Sequence, residues 1–91
     1  MKTFRLYIGS NNETGELEDK KAERVVAKRF EGFTTIKRGV TGHWKGSKEN
    51  TMVVEIATDE EDELKKTVEE LKEELKQEAV GVTTIGEMQF I

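Results

Sequence analysis

The chain contains no cysteine and no proline, and only one histidine, one tryptophan and one tyrosine among its 91 residues. Without cysteine there is no disulfide, no thiolate nucleophile and no zinc-cysteine site. That fits a reducing compartment. No second histidine completes a histidine metal site. The spaced Asp/Asn loop with a terminal glutamate that holds calcium is missing as well. Neither a P-loop nor a GxGxxG pattern occurs, so no metal and no cofactor is expected. No linker or internal repeat divides the sequence, and its length suits one domain, residues 1–91. No apolar run approaches the ~18–20 residues of a membrane span. The start lacks the basic region and apolar stretch of a signal peptide, so cytoplasmic residence away from membranes is the expectation. A net charge of −4 disfavours nonspecific binding to nucleic acid or anionic lipid.

Charged residues make up 37% of the chain and apolar ones 34%. The charge is of both signs and the apolar residues are periodic, which reads as a folded domain with a solvated surface. A chain of this size buries about 60–65% of its unfolded surface. That suffices for one core between a sheet and two helices.

Lys2–Ile8 alternates. Phe4, Leu6 and Ile8 share one face, and Thr3, Arg5 and Tyr7 the other, as in a half-buried strand. Residues 16–30 carry Ala22, Val25, Val26 and Phe30 at helical spacing. Gly32 stands where a left-handed cap is wanted. From Phe33 the period becomes two, with Ile36, Val40 and Trp44 on the inner face. A turn is expected at residues 46–50. Thr51–Ala57 follows as a strand, with Met52, Val54 and Ile56 inward and Val53 and Glu55 outward. Thr58 and Glu61 form a capping box. Leu64, Val68, Leu71 and Leu75 then make a stripe along one helix face. Gly81 ends that helix, and the tail beyond it is β-prone, with Gly86 as a bend or bulge. The order β-α-β-β-α-β predicts an α+β domain of ferredoxin-like type. Its antiparallel sheet carries both helices on one face, with room for an extra C-terminal strand.

Lys37, Arg38, Lys45 and Lys48 make the central hairpin basic within an acidic protein. Cations beside glycines suit a small anionic ligand. The expected ligand-binding set is Lys37, Arg38, Thr41, His43, Trp44 and Lys45. Tyr7 and Val53 are the expected interface residues, because an open sheet face with apolar members is commonly covered by another subunit. His43 is a candidate general acid or base if Glu55 lies across the hairpin on its face.

Three resemblances attach to these residues. Leu6-Tyr7-Ile8-Gly9-Ser10-Asn11 resembles the first-strand motif of RNA-recognition domains, in which Tyr7 would stack a base. The chain departs from that family at Thr51-Met52-Val53-Val54-Glu55-Ile56, where the family has a basic residue, glycine and aromatics. Arg29-Phe30-Glu31-Gly32-Phe33-Thr34 followed by Gly42-His43-Trp44 resembles a family of small uncharacterised bacterial domains. Those share an RF-x-GFT start to strand two and a G-x-W before strand three. More loosely, Trp44-Lys45-Gly46 and the strand after it resemble the PII-like and divalent-cation-tolerance proteins. That likeness implies a ferredoxin-like fold, trimers, and ligands at subunit clefts beside the hairpin; the family's metal-associated residues are missing here.

The leading expectation is a noncatalytic, oligomeric binding or regulatory module. It would contact a small anion or a protein at the hairpin and the open sheet face. The alternatives are a small enzyme using His43 and an RNA-binding domain using Tyr7.

Overall fold

A computed structural model describes residues 1–91. It is an α+β structure with two helices and an antiparallel sheet. The elements run β1 (Lys2–Ile8), α1 (Asp19–Ala27), β2 (Thr34–Ile36), β3 (Thr41–Trp44), β4 (Ser47–Asn50), β5 (Met52–Thr58), α2 (Glu61–Glu74) and β6 (Gly81–Glu87). Four strands form one sheet in the order β2-β5-β1-β6, and β3 and β4 form a separate two-stranded sheet. Every pairing is antiparallel.

Alternation in β1 and β5 places Phe4, Leu6, Ile8, Met52, Val54 and Ile56 in one buried cluster. Ala22, Val25, Val26 and Phe30 from α1 and its exit join it, with Leu64 and Leu71 from α2 and Leu75 at its C-terminal cap. Both helices therefore cover the same face of the sheet. The stripe on α2 is the expected one, with Val68 packed at the margin. Thr67 is also buried; its hydroxyl donates to the Glu63 carbonyl at 2.9 Å, which satisfies the polar group inside the helix. Across the helix pair, Glu70 accepts from Arg29 at 2.9 Å and pairs with Lys28.

The structure corrects several expectations. Residues 33–44 do not form one strand. Ile36 pairs with Val53, and Thr41 pairs with Asn50. Four residues, 37–40, thus stand opposite two, Thr51 and Met52. The two surplus residues bend the ribbon and split it into two sheets. Ile36 consequently faces away from the helices, on the same face as Val53, and is 44% exposed. Residues 47–50 are strand rather than turn. The turn is Lys45-Gly46, both with positive φ, 50° and 81°. This is the mark of a two-residue primed turn, whose twist matches the strands it joins.

Gly32 keeps a negative φ and is no left-handed cap. The capping box does not form either. α2 begins at Glu61, and the Thr58 hydroxyl accepts from the Glu60 N–H at 2.9 Å as a local turn. Gly81 opens β6 instead of ending α2. Within β6 the register shifts near Gly86, which has φ +125°. That is the bulge its position suggested.

Candidate functional site

The open face of the sheet is ordered in cross-strand rows. One row runs Ile36, Val53, Tyr7, Gly81; the next runs Thr34, Glu55, Arg5, Thr83. Val53 is only 5% exposed, although it lies on the face away from the helices. Its flanking neighbours in the row, Ile36 and Tyr7, shield it. In the second row Arg5 donates to Glu55 at 3.1 Å. Tyr7 therefore sits beside valine and glycine, with no second aromatic in its row.

At one end of this face the β3-β4 hairpin stands against two other segments. Ser10 and Asn11 are buried polar residues in the loop after β1. The Asn11 side-chain oxygen accepts the N–H groups of Glu13 at 2.7 Å and Thr14 at 3.3 Å, and its amide donates to Glu18 at 3.0 Å. This closes the loop on itself. The Ser10 hydroxyl donates to the Asn50 carbonyl at 3.0 Å, and the Gln77 amide donates to the Ser10 carbonyl. A side chain on Gly9 would collide with the Glu49 carboxylate, so the loop and hairpin meet at van der Waals contact. From the α2-β6 connection, Glu78 accepts from the Trp44 indole at 3.1 Å and pairs with Lys45 at 2.9 Å. Lys45 Nζ also stands 5.8 Å from the Trp44 ring centre, within cation-π range. These two cationic and polar donors, Lys45 first and Trp44 second, hold the Glu78 carboxyl below the usual carboxylate range.

The three segments enclose an open cleft of about 740 Å³, lined by Ser10, Asn12, Thr41, Trp44, Lys48 and Asn50 among others. Its charges are Lys45 and Lys48 against Glu49 and Glu78. Lys45 is spent on Glu78, whereas Lys48 makes no ion pair. Trp44 is 47% exposed and supplies the one large apolar surface at the rim.

The predicted residues divide. Thr41, Trp44 and Lys45 line the cleft. Lys37 and Arg38 do not. Lys37 folds onto α1, 3.1 Å from Glu23 and 3.5 Å from Asp19. Glu23 above all, then Asp19, raises its pKa. Arg38 lines a shallow groove with Leu17, Asp19 and Ile36. The surplus residues that bend the ribbon carry this pair away from the hairpin tip. His43 pairs with Lys48 across the hairpin and lines a neighbouring groove with Tyr7 and Val80. Glu55 is engaged with Arg5 in the main sheet, so the condition for His43 as an acid or base, Glu55 across the hairpin, is not met. No three histidine, aspartate or glutamate side chains gather to hold a metal.

Sequence reasoning missed Ser10, Asn11, Gln77 and Glu78. The run Gly9-Ser10-Asn11-Asn12 announced a turn but not its contacts. Glu78 is one glutamate in a glutamate-rich stretch, with nothing local to mark it. No protein-family model matches the chain, and no curated protein matches it.

Proposed function

We propose that the protein is a noncatalytic, oligomeric binding module of ferredoxin-like architecture with a kinked central hairpin. It binds a small polar molecule carrying an anionic group in the hairpin cleft. The sheet order β2-β5-β1-β6, with both helices on one face, supports the architecture. The resemblance of Trp44-Lys45-Gly46 to the PII-like proteins, whose ligands lie beside this hairpin, supports the location. No helix is long and apolar enough to cross a membrane, and cytoplasmic residence is part of the proposal.

The observation that carries the reading is the Trp44–Glu78–Lys45 clamp. It fixes the hairpin against the α2-β6 connection and leaves Lys48 as the uncommitted cation of the cleft. Around Lys48 stand hydroxyl and amide groups from Ser10, Asn12, Ser47 and Asn50, with the Trp44 ring as a contact surface. The charge is supplied by Lys48, and Lys37 and Arg38 take no part.

Trp44 is the sole tryptophan, so its emission reports on the cleft and on the groove beside it. Titration with inorganic phosphate, adenosine monophosphate and citrate is expected to give a saturable change with at least one of them at micromolar to millimolar concentration. Lys48→Ala should abolish the change and Lys37→Ala should keep it. A linear, unsaturable response to all three, or equal loss in both variants, removes the cleft from the function.

A further inference from the structure

The two edges of the main sheet are built differently, and the difference selects the surface through which a second copy joins. β2 has three residues and is followed by Lys37 and Arg38, with Lys37 pinned to α1. Short length and flanking lysine blunt an edge. β6 has seven residues, all exposed, and pairs only with β1. It carries one charge, Glu87, and neither lysine nor proline. About half of its N–H and C=O groups point to the unpaired side, as in any edge strand. Its lip is apolar. Val82, 45% exposed, closes a groove of about 280 Å³ with Phe4, Leu64 and Val68. Glu61, Lys65 and Glu69 of α2 rim that groove with both signs of charge.

We propose that β6 pairs antiparallel with β6 of a second copy, about a two-fold axis near Thr83, making one eight-stranded sheet across the dimer. This rests on the oligomeric part of the reading above and names its surface. The bulge at Gly86 limits the regular edge to the first part of β6, and a two-fold axis at Thr83 uses that part in both copies. Thr83 then faces Thr83, and Val82 faces Thr84 of the other copy. These are β-branched pairs, which stabilise cross-strand contacts. Val82 and Thr84 both lie on the helix side, since their β1 neighbours are Leu6 and Phe4. The junction therefore roofs both apolar grooves. The two Glu87 residues fall at opposite ends, about 26 Å apart along the strands, well beyond the screening length of ~8 Å. Each Glu87 is also paired with the Met1 ammonium of its own chain at 3.0 Å, so no like-charge repulsion opposes the antiparallel junction.

Sedimentation of the full chain across a concentration series tests this. The expected species is a dimer, twice 10.4 kDa, at high protein concentration. The double substitution Val82→Lys with Thr84→Lys sets lysines opposite one another and should raise the dimer dissociation constant about tenfold or more. Val82→Glu with Thr84→Glu should do the same alone, and mixing the two variants should restore the dimer. That restoration requires both variants to be folded. A wild-type dimer indifferent to both variants but lost on Tyr7→Lys overturns the edge and places the second copy on the open face, leaving the oligomeric reading intact. A monomer at every concentration overturns both, while the cleft still stands or falls by its fluorescence test.

Discussion

β2 and β6 bound the same sheet, yet one is closed by charge and the other is left open. β2 lies beside β5, whose Val53 is shielded even on the face away from the helices. β6 lies beside β1, and its Val82 remains nearly half exposed even on the helix side. For these two valines, position in the sheet outweighs the face each occupies. Central strands gain cover from both lateral neighbours, whereas an edge strand has one. The charges follow suit. Lys37 is committed to Glu23 and Asp19 at the β2 side. At the β6 side Glu87 pairs with the Met1 ammonium at 3.0 Å, and Glu78 ties the strand's approach to the hairpin through Trp44 and Lys45.

The largest expected effect tests the core that both edges share. Leu71 has no exposed surface, so Leu71→Asp buries an unpaired charge and should cost on the order of 3–5 kcal/mol in chemical denaturation. A loss below about 1 kcal/mol would break the comparison at its base, because the sheet would then lack the helix cover that distinguishes centre from edge.

Next comes the direct contrast of two valines. Val53→Ala should cost about 1.5 kcal/mol, the transfer value of two buried methylene-sized groups. Val82→Ala, measured on dilute protein, should cost roughly half of that, because nearly half of the side chain already meets water. Equal losses would erase the distinction between centre and edge.

The smallest effect is electrostatic. The Glu78 carboxyl is held below its ordinary value of 4.5 by Lys45 and Trp44. A depressed folded value means that the clamp contributes stability above pH 4.5, and that this is lost as the pH falls through the folded value. Trp44 emission should therefore change below pH 4.5, and Glu78→Gln should remove that transition. A transition unaltered by the substitution would show that Glu78 does not anchor the hairpin.

Much of the fold was legible in the chain. β1, β5 and the α2 stripe follow from periods of two and 3.6, which register burial directly. What failed were elements decided by counting across a gap. The split of residues 33–44 depends on four residues facing two, and no local property of Lys37-Arg38-Gly39-Val40 reveals what lies opposite. The same bend undid the basic cluster: Lys37 and Lys45 are close in sequence, yet they pair with glutamates of different elements. The candidate site was half legible. Thr41, Trp44 and Lys45 were read from the hairpin itself. Glu78, Gln77 and Ser10 come from chain distances that no spacing rule spans.

The sequence by itself determined which side chains enter the core, because burial follows from hydrophobic period, and periods are written along the chain. It also determined what chemistry is excluded, since cysteine and a second histidine are absent from the composition. Only the tertiary structure decided which charges meet, which edge is left open and where the hairpin points. Those depend on register between distant segments, and register is fixed by the whole sheet closing over its helices at once.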